Sequence, residues 1–419
     1  MIGRFAGVLA AFLMLSSCAR DQQPVDPQLA AEIAAVKAID NHAHPVLAAA
    51  GDREFDALPV DSMEAESDPV ALRPDSPAAK AATHALYPTV SKADTIRQKG
   101  DAYPAWVLDQ AGIEIMLANR VAMGPSIQPP RFRWVPYADA LMYPLDNSRL
   151  ASRNSDRKSF FALEDKLRAR YFDGITLPAT LAEYTARIVT PTLERQRQGG
   201  AVAEKFEAAY LRNLSFDAAD AAQAERVYRQ YSGKSAPPDA EYKLLQDYLF
   251  RYIATECGRL GMAVHIHTMA GAGGYFDVAG ANPLHLEPLF DDPALRKTKF
   301  VMIHGGWPFV HEIGALMTKP NAYLDISAQT LLLPPSSVAA SLREWLSLVP
   351  EKVLFGTDAY PYSDQVGWEE SAWIASRSGR EALGRALTGM MRDGEISKER
   401  AVQLARMVLR DNARALYGW

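Results

Sequence analysis

The chain has 419 residues, with 45 Lys plus Arg against 50 Asp plus Glu, a formal net charge of −5 and 48 % hydrophobic residues. That balance excludes a disordered chain and leaves no basic footprint for nucleic acid. Two cysteines exclude a disulfide scaffold and a cysteine-built zinc cluster, while the length accommodates one large barrel or two ordinary domains.

In chain order the first feature is an apolar leader. Residues 1–18 read MIGRFAGVLAAFLMLSSC, with one charge at Arg4 and an apolar run over 5–15. The run is too short to span a bilayer and has the length of a secretory-signal core. It ends in Leu15-Ser16-Ser17-Cys18, which resembles the lipobox of bacterial lipoproteins. The resemblance implies cleavage before Cys18, lipid on that cysteine and a membrane-anchored periplasmic protein. Ala19 rather than Asp follows the cysteine, which favours the outer membrane. The alternative is an ordinary secretory signal with an incidental cysteine. The expected organisation is a leader over 1–17, a tether over 18–28 and one folded domain over 29–419. Cys257 then reads as a small hydrophobe in a helix core.

Beyond the leader, residues 51–80 are acidic and proline-bearing and read as loop, 145–198 are charged and helical in pattern, and SGKSAPPD at 232–239 is a loop. Short apolar runs predict strands over 36–41, 113–119, 134–138, 202–207, 263–267, 300–304, 322–326 and 353–356. Helical periodicity falls over 29–36, 163–171, 241–260 and 338–348, and within 380–391 and 398–416. Strands alternating with helices argue for a parallel sheet, and eight of them for an α/β chain folded as a (β/α)8 TIM barrel with long insertions at its mouth. A doubly wound sheet lacks support, because no G-x-G-x-x-G follows the first strand.

The eight histidines fall at strand ends more than by scatter. His42 and His44 sit in DNHAHP after the first strand, His265 and His267 end the fifth, His304 ends the sixth, and Asp358 in GTDA follows the eighth. Residues i and i+2 of a strand point to one side, so each H-x-H can chelate one ion. In a parallel barrel all strand C-termini open on one face, where imidazole and carboxylate suit Zn²⁺, Fe²⁺ or Mn²⁺.

This ordered set resembles the amidohydrolase superfamily of metal-dependent barrels, in its amidohydrolase-related, nodulin/FluG-like branch. The segments that carry the likeness are IDNHAHP (39–45), RFRWVPYADALMYPL (131–145), EKFEAAYLR (204–212), VHIHTMAG (264–271), ANPLHLEPLFDDPAL (281–295), KFVMIHGGWPF (299–309), NAYLDIS (321–327) and LFGTDAYPYS (354–363). Residues 51–110 and 145–198 depart from it and would shape the pocket.

The resemblance implies that His42, His44, His267 and Asp358 ligate a divalent metal, zinc above manganese or iron, as one or two ions. Asp358 would also accept a proton from the attacking water. His304 would be a general acid/base or a ligand of a second ion. For Lys205 three readings stay open: a carboxylated bridge between two metals, a binder of substrate carboxylate, or a side chain snorkelling to solvent. Glu207 faces the same way and pairs with it in a simpler reading. His265 would hydrogen-bond a metal ligand. Arg133 and Arg212 are candidates for an anionic substrate group, and Trp307, Tyr360 and Tyr362 for an apolar wall. His285 has no assigned role, and His84 and His311 read as surface or loop residues. The implied function is hydrolysis of an amide C–N bond in a small molecule, one that can carry a carboxylate. A non-oxidative decarboxylase of the same branch and a non-catalytic, lipid-anchored binding protein are the alternatives. No nucleic-acid partner is expected, and oligomeric state stays open.

Overall fold

The computed structural model describes residues 24–47, 51–57, 69–155, 157–271 and 274–419. Among the described residues eight short strands carry the fold: β1 (Ala38–Ala43), β2 (Ile113–Asn119), β3 (Phe132–Val135), β4 (Ala203–Phe206), β5 (Ala263–His267), β6 (Phe300–Ile303), β7 (Ala322–Asp325) and β8 (Val353–Leu354). Most of their residues are buried on both faces, as strands of a parallel sheet covered by helices must be. β1–β3 form one parallel sheet and β4–β8 another.

Two seams close these sheets into a (β/α)8 barrel. At one, Trp134 bridges Ala201 and Tyr137 bridges Lys205. At the other, the N–H of Asn41 donates to Phe355, that of Asp358 to the His42 carbonyl and that of His44 to Ala359, at 2.8–2.9 Å.

The helices that position the site are α1 (Pro27–Ala35), α2 (Pro77–Leu86), α3 (Tyr103–Ala111), α4 (Arg157–Phe172), α5 (Asp239–Leu260), α6 (Pro335–Leu348), α7 (Trp368–Arg392), α8 (Lys398–Arg406) and α9 (Asn412–Tyr417). Ser76 and Ser397 cap α2 and α8 by accepting the N–H of Ala79 and Arg400. Gly112 (φ +70°) and Gly261 (φ +68°) end α3 and α5 in the left-handed conformation and deliver the chain directly to β2 and β5.

Inside the barrel Ile39, Leu117, Val135, Ala203, Ala263, Val301, Ile303 and Leu354 form one apolar cluster, joined by Ala413 and Leu416 of α9. Lys299, just before β6, donates to the Leu416 carbonyl at 2.6 Å. The C-terminal segment therefore plugs the floor, opposite the strand C-termini.

Strands 2 and 5 begin and end where the sequence predicts, and the others lie within a few residues. β1 lies two residues later than predicted, because its ladder with β2 starts at Ala38, so His42 belongs to the strand itself. β3 starts at Phe132, paired with Met116. The 51–80 loop contains a helical turn at Asp52–Asp56 and the start of α2. The pattern within 380–391 is the end of one 25-residue helix, α7, and that within 398–416 is broken by a wide turn at Met407–Asp411. The 1–17 leader, Cys18 and residues 19–23 of the tether lie outside the described residues.

Candidate metal centre and active site

The end of β1 carries His42 and His44, both buried. Their Nε2 atoms are 3.2 Å apart. Asp358 Oδ1, from the segment after β8, lies 3.3 Å from His42 Nε2 and 3.4 Å from His44 Nε2. His304, after β6, completes a group in which one atom each of His42, His304 and Asp358 lie within 4.8 Å of one another. Four tetrahedral donors about 2.1 Å from one ion stand about 3.4 Å apart. The spacing among His42, His44 and Asp358 matches that figure, and neutral imidazole with carboxylate is the donor chemistry that divalent ions take.

Burial lowers the imidazoles of His42 and His267 well below the ordinary histidine range, with the Lys205 charge adding to it. His304 is brought down to about 3, again chiefly by burial. All three are neutral at pH 7, the form that ligates. Burial pushes the Asp358 carboxyl up, but His304, His42 and His44 outweigh it and hold it well below the usual carboxylate range.

His304 and Asp358 both have positive φ, +73° and +57°. Non-glycine residues adopt this region rarely, and it persists where the surroundings over-determine it. The N–H of His304 donates to Asp325 Oδ1 at 2.9 Å, and its carbonyl accepts from Gln329 Nε2 at 2.8 Å. The N–H of Asp358 donates across the β1–β8 seam.

Lys205 points inward from β4 and is buried. Its ammonium contacts Glu207 Oε1 and lies 3.4 Å from His42 Nε2. The snorkelling reading is thereby corrected: the strand's inward face leaves no route to solvent. Glu207 also lies 3.6 Å from His267 Nδ1. The ring of His267 is 4.7 Å from that of His304, but its Nε2 meets the Met269 carbonyl at 2.8 Å. A carbonyl only accepts, so this nitrogen carries the proton and the lone pair of the ring falls on Nδ1. The expected strand-5 ligand therefore stands at the site, its ring beside that of His304.

Tyr360 stands with its ring 5.9 Å from that of His44 and 5.2 Å from Tyr362. Trp307 is 37 % exposed on the segment after β6. Both follow the C-terminal end of a strand, Trp307 after β6 and Tyr360 after β8.

Arg133 is elsewhere. It lies on the inward face of β3 near the start of the strand, its guanidinium 5.2 Å from the Trp419 ring. Strand polarity puts it at the barrel floor, so it is corrected from substrate binder to a floor residue stacked on the C-terminal tryptophan. Arg212 is held by Asp247, Gln246 and the Ser215 carbonyl, a structural ion pair. His265 meets Tyr417 at 2.7 Å rather than a metal ligand. His84 and His285 are exposed, as is His311, which pairs with Glu344. Cys257 is buried in α5.

Several residues that carry the site had no assigned role in the sequence reading. Tyr137 brings its hydroxyl 3.2 Å from His44 Nδ1. Asp40 accepts from the Thr357 N–H and hydroxyl and ties β1 to β8; burial raises its carboxyl to about 7 against those bonds. Asp325, at the end of β7, accepts from Asn41 Nδ2, the His304 N–H and both donors of Ser327, and Ser327 Oγ lies 2.8 Å from His304 Nδ1. A polar residue ending an apolar strand was the signal available for Asp325.

A closed parallel barrel with histidines and an aspartate gathered at its C-terminal face defines a metal-dependent enzyme class. Residues 175–419 match the amidohydrolase family, and the chain belongs to that family. Protein fluG of Emericella nidulans is 27 % identical over 220 residues, which make up 50 % of this chain and 24 % of fluG. The chain thus spans about a quarter of that relative's length. Among solved structures, a metal-dependent hydrolase from Lactobacillus casei ATCC 334 is 17 % identical with a TM-score of 0.65, covering 93 % of this chain and 97 % of its own. A uronate isomerase from Thermotoga maritima is 13 % identical with a TM-score of 0.59, covering 93 % and 96 %. These likenesses show the fold. Family and donor set together support an enzyme that uses a divalent metal and acts on a small molecule.

Proposed function

We propose that the chain hydrolyses an amide C–N bond of a small, carboxylate-bearing molecule, using zinc or a similar divalent ion held by His42, His44, Asp358 and His304. The observation that carries this reading is the 3.2–3.4 Å convergence of His42, His44 and Asp358. When bound, such an ion polarises a carbonyl and lowers the pKa of water. The chain's own part is then defined. Asp358 is ionised and takes the proton from the attacking water. The same carboxyl delivers that proton to the leaving nitrogen. Lys205, an ammonium held by Glu207, offers a buried cation for a substrate carboxylate. Tyr360, Tyr362 and Trp307 exclude water from the mouth.

The contact between Lys205 and Glu207 supports the ammonium over a carboxylated lysine, because a carbamate would set two anions against each other. It also keeps decarboxylation as a second reading, since a carboxylate seated on Lys205 could itself be the group lost.

Metal content per chain, measured on soluble protein starting after Cys18, is the test. One equivalent, unchanged in Lys205→Ala, supports this reading, and two that fall to one overturn the role of Lys205. An amide library read for amine release and for CO2 then separates hydrolysis from decarboxylation.

We also propose that Cys18 is lipidated and anchors the protein at the periplasmic face of the outer membrane. Cys18→Ser should release a soluble protein or leave the leader uncleaved. Unchanged membrane association with normal cleavage overturns the proposal.

A further inference from the structure

We propose that Ser327 and Asp325, backed by Asn41 and Tyr417, are positioning residues that hold His304 as the Nδ1–H tautomer and present its Nε2 lone pair to the site. The assignment follows from counting protons. Ser327 Oγ has one, and it is donated to Asp325 Oδ1 at 2.6 Å, since a carboxylate only accepts. At its 2.8 Å contact with His304 Nδ1, Oγ must then accept, so Nδ1 carries the hydrogen. A neutral imidazole has only one, and Nε2 is left with its lone pair.

The same count runs from the floor. Tyr417 gives its proton to Asn41 Oδ1 at 2.5 Å, so at 2.7 Å it accepts from His265 Nε2. Asn41 Nδ2 donates to Asp325 Oδ2 at 2.8 Å. Both arms therefore point their hydrogens at one carboxylate. With the N–H groups of His304 and Ser327 added, Asp325 receives four neighbouring donors besides its place in the chain's middle. Each of these partners donates, so both oxygens of this carboxyl serve as acceptors. The arrangement reaches from the barrel floor to its mouth through five side chains.

The consequence for the reaction is specific. His304 acts as an electron-pair donor, to metal or to a proton, and is not the acid that protonates a leaving group. This holds whichever bond the site breaks, so it stands or falls apart from the amide reading.

The test is a long-range 1H–15N correlation spectrum of histidine-labelled full chain, recorded before and after chelation. The expected result after chelation is a His304 ring with pyrrole-type Nδ1 and pyridine-type Nε2. Ser327→Ala should convert it to a mixture or to the other tautomer and weaken zinc binding 10–100-fold. Ser327→Thr, which keeps the hydroxyl, should restore both, and Tyr417→Phe should shift the ring resonances in the direction of Ser327→Ala by a smaller amount. A wild-type His304 protonated on Nε2 overturns the proposal, and so does Ser327→Ala with unchanged tautomer and zinc affinity. The wild-type spectrum decides even where a variant fails to fold.

Discussion

The phenol of Tyr137 lies 3.2 Å from Nδ1 of His44, while Nε2 of the same ring faces His42 and Asp358. One side of the imidazole is thus held from the segment after β3, and the other faces the converging donors. Partners of this kind orient a ligating histidine, and their loss typically weakens metal binding 10–100-fold. Tyr137→Phe should do so while leaving thermal stability of the metal-free chain nearly unchanged. Competition titration with a zinc chelator measures it.

Asp358→Asn keeps the size of the side chain but removes its capacity to take a proton. Turnover should fall about 10²–10⁴-fold, with part of the metal retained because the histidines remain. Wild-type turnover in this variant would remove Asp358 from the proposed proton transfer.

Lys205 and Glu207 form a pair in which neither side chain is more than 1 % exposed. Removing one partner strands the other, a loss of about 3–5 kcal/mol in comparable pairs. Lys205→Ala should destabilise on that scale in urea unfolding. The Lys205→Ala/Glu207→Ala double variant should be less destabilised than the sum of the two single changes.

Glu164 sits on the buried face of α4, and among the described residues neither carboxyl oxygen has a hydrogen-bond partner. Burial raises its pKa well above the usual value, and Asp139 and Glu207 add to the rise. The unfolded chain ionises this carboxyl above about pH 4.3 while the folded chain keeps the proton. Stability should therefore fall as pH rises from there, by about 1.4 kcal/mol per unit, until the folded-state pKa is passed. Glu164→Gln should flatten that slope in urea midpoints measured from pH 5 to 8.

Much of this architecture was legible in the chain. Strands of a parallel sheet are mostly apolar, so β2 and β5 could be bounded to the residue. The H-x-H of 42–44, His304 and Asp358 were legible because strand polarity sends every strand's C-terminal residues to one mouth. Arg133 was not, because which end of β3 it occupies depends on the pairing of Phe132 with Met116. The contact of His267 Nε2 with the Met269 carbonyl was not, because no spacing rule conveys a side-chain torsion. Asp325 and Tyr137 were hidden for a related reason: each is a single polar residue whose partners arrive from distant strands.

The seam between β1 and β8 joins positions up to 317 residues apart, where Asp40 meets Thr357. His42 and Asp358 stand on its two lips, so the catalytic pocket is assembled at the weld of the first and last staves. An ion held there works as a clasp. It binds the closed ring and not the open chain, and mass action makes it a stabiliser of the entire domain. Loss of the ion should register as loosening along the whole weld, and a cut anywhere that lets the two lips part should disarm the enzyme without touching a single reactive group.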